Sequence, residues 1–228
     1  MNAGMTVTPS PPPSARPVLH LALIVLLALN ILPELLFQLS DRGLAGLPVL
    51  LRPLAYALGA FRPDLMSGIG PIFPGQSLTI FFTYGFLHIG LWHLAANMLG
   101  LVWLGRLILS YRTPETFVTF YLMSMIGAAE CVALIQSGGA VVGASGALFG
   151  LFGVYAMDQG LFAPRGGQSH PVLAQLARLA LATLALVLSD VGSQILLGSP
   201  VAWQAHAGGF VTGALVAYFA PPRHARRS

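Results

Sequence analysis

The chain has 228 residues, of which 56% are hydrophobic and only 8% charged, with a mean hydropathy of +0.78. A soluble domain carries about a quarter charged residues, so this composition excludes an ordinary water-soluble globule and makes the lipid bilayer the chain's solvent. The formal charge is +4, but the eleven basic residues, all arginine, are scattered between apolar stretches, which argues against nucleic-acid binding.

Residues 1–16 are rich in Pro, Ser and Thr and read as a disordered tail. Residues 17–39 form a first membrane span that contains Asn30, Pro33 and Glu34, too long an apolar core for a cleaved signal peptide. Residues 40–85 are apolar but broken by charges and prolines, and predict a long first loop with short interfacial helices. Within it, 43–61 would pass for a span if Arg52-Pro53 did not sit at its centre. Further spans are predicted at 86–106, 115–136, 144–162, 171–190 and 201–220, followed by a basic tail over 221–228. Cys131, in the third span, is a lone cysteine that excludes an intramolecular disulfide and reads as an ordinary buried residue.

No alternating barrel pattern is present, so the expected fold is all-α, a six-helix membrane bundle over residues 17–220. Six spans place both termini on one side. Arg16, Arg106, Arg112, Arg165, Arg178, Arg223, Arg226 and Arg227 then share that side, against Arg42, Arg52 and Arg62 on the other. The positive-inside bias predicts cytoplasmic termini. The arginine-only, alanine-rich composition is in keeping with a bacterial inner membrane.

Strongly polar side chains inside an apolar bundle are costly and mark function. His93 and Asn97 lie four apart on one face of the second span, preceded by His88. The fourth span opens with Gly143-Ala144-Ser145-Gly146, and the sixth with Trp203-Gln204-Ala205-His206. These spans run in the same direction, so His93, Asn97, Ser145 and His206 should share one layer in the outer half of the membrane. Gly209 and Gly213 share the face of His206, and Gly146 and Gly150 follow Ser145 at the same spacing. Small residues four apart let membrane helices approach closely, which would bring Ser145 and His206 within hydrogen-bond reach. A serine needs a base to become a nucleophile, and neutral imidazole is the usual one. The Asn97 amide, the His93 ring and the Ser145 N–H are candidate donors to an oxyanion. No carboxylate stands beside His206, so a dyad is expected; Asp190 could approach from the fifth span but reads as a loop charge.

The segments His88-Ile-Gly-Leu-Trp-His93-Leu-Ala-Ala-Asn97, Gly143-Ala-Ser145-Gly146 and Ala205-His206-Ala-Gly-Gly209-Phe-Val-Thr-Gly213 resemble the three signature motifs of the rhomboid proteases, in order and spacing. The resemblance implies an intramembrane serine endopeptidase with Ser145 as nucleophile and His206 as base. His93, Asn97 and the Ser145 N–H would line the oxyanion hole, and Phe149 would pack on the base. Gly143, Gly209, Gly213 and His88 take supporting roles, His88 a structural one. The partners implied are a substrate's transmembrane helix and the bilayer, with no cofactor or metal; HExxH is absent. The chain departs from the family at the Trp-Arg pair common in the first loop, aligned here with Thr79 and Ile80, and at a glutamate aligned with Leu109. Three other readings remain: a helix-binding protein without activity, a small transporter using His93, Asn97 and His206 as a relay, and a rhomboid specialised for one substrate tail.

Overall fold

Seven α-helices stand among the described residues of the computed structural model, which are 20–66, 68, 70–135, 139–160 and 203–222. They are α1 (Leu21–Asp41), α2 (Leu51–Gly59), α3 (Gln76–Thr83), α4 (Leu91–Leu109), α5 (Pro114–Ile135), α6 (Ser145–Asp158) and α7 (Trp203–Phe219). Apart from a single backbone bridge between Phe61 and Val141, no β structure occurs among these residues. The predicted span 171–190, Asp190, the tail 1–16 and residues 223–228 lie outside them.

Three helices, α1, α4 and α5, are long and apolar enough to cross a membrane by length and composition. The second span starts at Leu91 rather than at residue 86. Gly90 precedes it at φ 151°, and Tyr84–Phe86 form a separate 3-10 turn. A left-handed glycine ends one local structure and redirects the chain into the next. In α5, Pro114 takes the first helical position, where its missing N–H costs nothing.

The 40–85 region is a loop built from α2, a 3-10 turn at Pro63–Met66, and α3. Arg52-Pro53 falls in the first turn of α2, where proline is tolerated, so the dipeptide that argues against a span suits a short helix. Gln76, wholly buried, ties the loop together: its amide donates to the carbonyls of Ala57 and Leu58, and its Oε1 accepts from the Ile72 N–H.

The core is one apolar cluster running through α1, α4, α5, α6 and α7. It includes Leu23, Leu101, Ile108, Phe117, Tyr121, Met125, Leu151 and Val154. Lipid-facing positions stay apolar, with Trp92 and Trp103 of α4 and Trp203 of α7 exposed. Cys131 is only half-buried, against the expectation of a buried residue, although its Cβ packs closely beside Gly208 of α7.

Glycines set the closest contacts. A Cβ on Gly209 would overlap the carbonyl of Gly146, and one on Gly213 that of Gly150, so α6 and α7 meet backbone to backbone. This is the close approach that small residues permit between membrane helices. At the end of the bundle where α5 begins and α6 and α7 finish, Arg112 joins all three. Its guanidinium donates from Nε to Asp158 at 3.0 Å and from Nη1 to the Ala220 carbonyl at 2.6 Å.

Candidate active site

The other end of the bundle gathers the polar residues. Ser145 is the first residue of α6 and His206 lies one turn into α7. The close contact of these helices brings His206 Nε2 to 2.8 Å from Ser145 Oγ. His206 is 3% exposed, whereas Ser145 is partly accessible, so the imidazole is shielded and the hydroxyl can be reached. The Phe149 ring, one turn after Ser145, lies against the imidazole with centroids 4.3 Å apart and planes at 35°. The pair is therefore held by packing on one side and by the hydroxyl on the other.

His93 and Asn97 approach from α4. Gly143 adopts φ +125°, and a Cβ there would stand 2.6 Å from His93 Cε1, so the imidazole rests directly on the backbone two residues before Ser145. Both the conformation and the contact require glycine at this position. Asn97 is buried and donates one amide hydrogen to the His93 carbonyl at 2.9 Å. Its second amide hydrogen remains for another acceptor. His88 is wholly buried, its ring set edge-on to His93 at 5.1 Å between centroids. Its tie to the first loop runs through the backbone: Arg52 and Tyr56 both donate to the His88 carbonyl, at 2.9 and 2.6 Å.

The first loop fastens the segment before Ser145 as well. Phe61 and Val141 exchange two backbone hydrogen bonds of 3.0 and 2.8 Å, and the Gly143 N–H donates to the Tyr84 carbonyl at 2.9 Å. Tyr84 is buried, donates its hydroxyl to the Met125 carbonyl of α5 at 2.8 Å, and meets the Phe61 ring edge-on. Nothing in the sequence singles out Tyr84, since an aromatic residue in an apolar loop carries no periodic signal.

Where the rhomboid motif would have Trp-Arg, Ile80 is wholly buried in the core and Thr79 bonds back to the Gln76 carbonyl. The anchoring arginine here is Arg52. It makes a bidentate pair with Glu34 of α1 at 2.9 and 3.0 Å, reaches Asp41 at 2.8 Å, and lies over the Phe37 ring at 5.0 Å. Burial lowers the Arg52 pKa, but the hydrogen bonds with Glu34, Tyr56 and Asp41 outweigh it and raise the pKa, keeping the guanidinium charged. A signal existed: Glu34 sits within an apolar helix, and a buried carboxylate demands a cation.

Among the described residues no cluster of His, Cys, Asp or Glu could hold a metal ion. The arrangement instead sets a hydroxyl beside an imidazole nitrogen, with His93 and Asn97 approaching from a third helix. A protein-family model of the rhomboid domain matches residues 75–223. The chain belongs to the rhomboid family. That family is in general one of intramembrane proteases, and this member is a multi-pass helical membrane protein. A search of the curated proteins finds no match. The matched region contains α3 to α7 and hence every rhomboid motif residue above, while Glu34 and Arg52 precede it.

Proposed function

We propose that this rhomboid is an active serine endopeptidase that cleaves transmembrane segments near the outer membrane face through a Ser145–His206 dyad. The observation that carries the proposal is the 2.8 Å contact between Ser145 Oγ and His206 Nε2 in a family of intramembrane proteases. Ser145 Oγ attacks the scissile carbonyl while His206 Nε2 takes its proton. The imidazolium returns that proton to the leaving amine, and water, activated by the same nitrogen, releases the acyl group. The Ser145 N–H, the free amide hydrogen of Asn97 and the His93 ring N–H stabilise the oxyanion. Phe149 holds the plane of the base.

Helix length supports a site below the surface. With 14 residues, α6 spans about 21 Å at 1.5 Å per residue, against a hydrocarbon core of about 30 Å. With its Asp158 end at the inner boundary, Ser145 falls roughly 9 Å short of the outer one. A substrate helix must then enter sideways from the bilayer and unwind locally before its carbonyl reaches Ser145. The arginine distribution supports cytoplasmic termini, and the composition a bacterial inner membrane.

The test is cleavage of a single-span substrate by the purified protein in detergent, beside Ser145→Ala and His206→Ala. Loss of cleavage in both, with wild-type melting retained, is the expected result. Cleavage surviving Ser145→Ala would exclude the dyad. A folded wild type that neither cleaves nor reacts with a fluorophosphonate would make the chain a helix-binding protein without activity.

A further inference from the structure

Three polar groups beside the site take no part in the chemistry just described. Glu34 is wholly buried in α1, Arg52 lies in the first turn of α2, and Tyr56 follows Arg52 by one turn on the same face. The Glu34 carboxylate is fully engaged: Arg52 pairs with both oxygens, and the Gln38 amide adds a hydrogen bond of 2.7 Å. Arg52 uses its Nε on Asp41. These bonds already tie α1 to α2. The remaining contacts point elsewhere, because Arg52 Nη1 and the Tyr56 hydroxyl converge on the carbonyl of His88 at 2.9 and 2.6 Å.

We infer that Glu34, Arg52 and Tyr56 are positioning residues that fix the oxyanion-binding end of α4 through the His88 carbonyl. The inference rests on the proposed dyad. His88 precedes Gly90, the positive-φ glycine from which α4 starts, and His93 and Asn97 occupy the first two turns of that helix. One donor satisfies a buried carbonyl; two donors from different directions also fix where it points. The direction is held in turn by a bidentate ion pair that cannot rotate without breaking both of its bonds. The His88 side chain extends the same chain of contacts, since its ring abuts His93. Oxyanion donors act only when they are aimed in advance at the position the charge will occupy, and small displacements are costly. The chain lacks the family's Trp-Arg pair at Thr79 and Ile80, and a network from α1 supplies the anchoring by another route.

Tyr56→Phe tests this most cleanly, because it removes one donor to the His88 carbonyl and leaves the Glu34–Arg52 pair and the ring contact with Phe37 in place. In detergent with a single-span substrate, kcat should fall about tenfold with KM within about twofold and melting retained. The same substitution made on Asn97→Ala should cost much less, since the group it positions is already gone. Arg52→Gln should act like Tyr56→Phe on kcat and lower melting as well. Unchanged kcat in Tyr56→Phe, an equal loss in both backgrounds, or a change confined to KM would overturn the inference while leaving the dyad intact. Cleavage surviving Ser145→Ala in the same assay would remove the dyad and this inference together. Should Arg52→Gln fail to fold, Tyr56→Phe decides alone.

Discussion

Gly209 of α7 faces the carbonyl of Gly146 in α6 with no side chain between them. Because Ser145 and His206 flank this contact, the spacing of the two backbones sets the distance across the proposed dyad. Gly209→Val must push the helices apart, and overpacking of this kind costs about 1–3 kcal/mol. The expected outcome is lower melting in detergent and cleavage reduced about 100-fold or more, with Gly209→Ala intermediate. Wild-type melting and cleavage in Gly209→Val would mean that the two helices do not depend on backbone contact.

Gly143 carries two demands at once. Its φ of +125° is a conformation L side chains rarely adopt, and a Cβ would press on the His93 ring. Gly143→Ala should cost about 1–3 kcal/mol in stability from strain. It should also lower kcat at least about tenfold through displacement of His93, with a smaller change in KM. Melting and steady-state kinetics on the same preparation separate the two effects. A variant that loses stability but keeps kcat would show that His93 is not needed where it stands.

Most of the fold was legible because the bilayer simplifies the code. Long apolar runs become helices, and Arg52-Pro53 correctly argued against a span at 43–61. The grouping of the candidate site residues was legible because His93, Asn97, Ser145 and His206 are polar groups in apolar helices, and the glycine spacing pointed to the contact that brings Ser145 and His206 together. What escaped was pairing across distance. Arg52 and Arg112 read as markers of span boundaries and topology and not as ion-pair partners, although Arg52 meets Glu34 and Arg112 meets Asp158. Positive-inside counting asks which side an arginine is on and never which carboxylate it finds, and separations of 18 and 46 residues carry no periodic signature. Tyr84 escaped for a different reason, since nothing about an aromatic residue in an apolar loop shows that its hydroxyl reaches the Met125 carbonyl of another helix.

Arg62 and Asp64 form a partly exposed pair in the first loop, with side chains 29% and 28% accessible. The hydrogen bond from Arg62 holds the Asp64 carboxyl below its ordinary pKa of 3.8. A carboxylate with a depressed folded pKa adds stability that is fully present above its unfolded pKa. That stability is lost as pH falls through the folded value, so the window lies below about pH 4. Exposed pairs contribute about 0–1 kcal/mol. Asp64→Asn should therefore leave melting nearly unchanged at pH 7, and a clear drop there would mean that the pair holds the loop more firmly than its exposure implies.

The far end of the bundle should govern stability without touching chemistry. The Arg112 and Asp158 side chains are 5% and 1% exposed, and Arg112 also caps the carbonyl of Ala220 just past the end of α7 and lies over Phe120 at 5.1 Å. Removing one partner of a buried pair leaves an uncompensated charge and costs about 3–5 kcal/mol. Asp158→Ala should lower melting in detergent by that order, since Arg112 then loses the group that orients it toward α7. The proposed dyad lies at the opposite end of α6, 13 residues from Asp158, so molecules that remain folded should cleave with near wild-type kcat. Measuring kcat per fluorophosphonate-reactive molecule, at a temperature well below the lowered midpoint, separates the two. A fall in kcat per reactive site would mean that α6 and α7 shift along their whole length when the clamp opens, and that the distance between Ser145 and His206 is set from both ends of the helix pair.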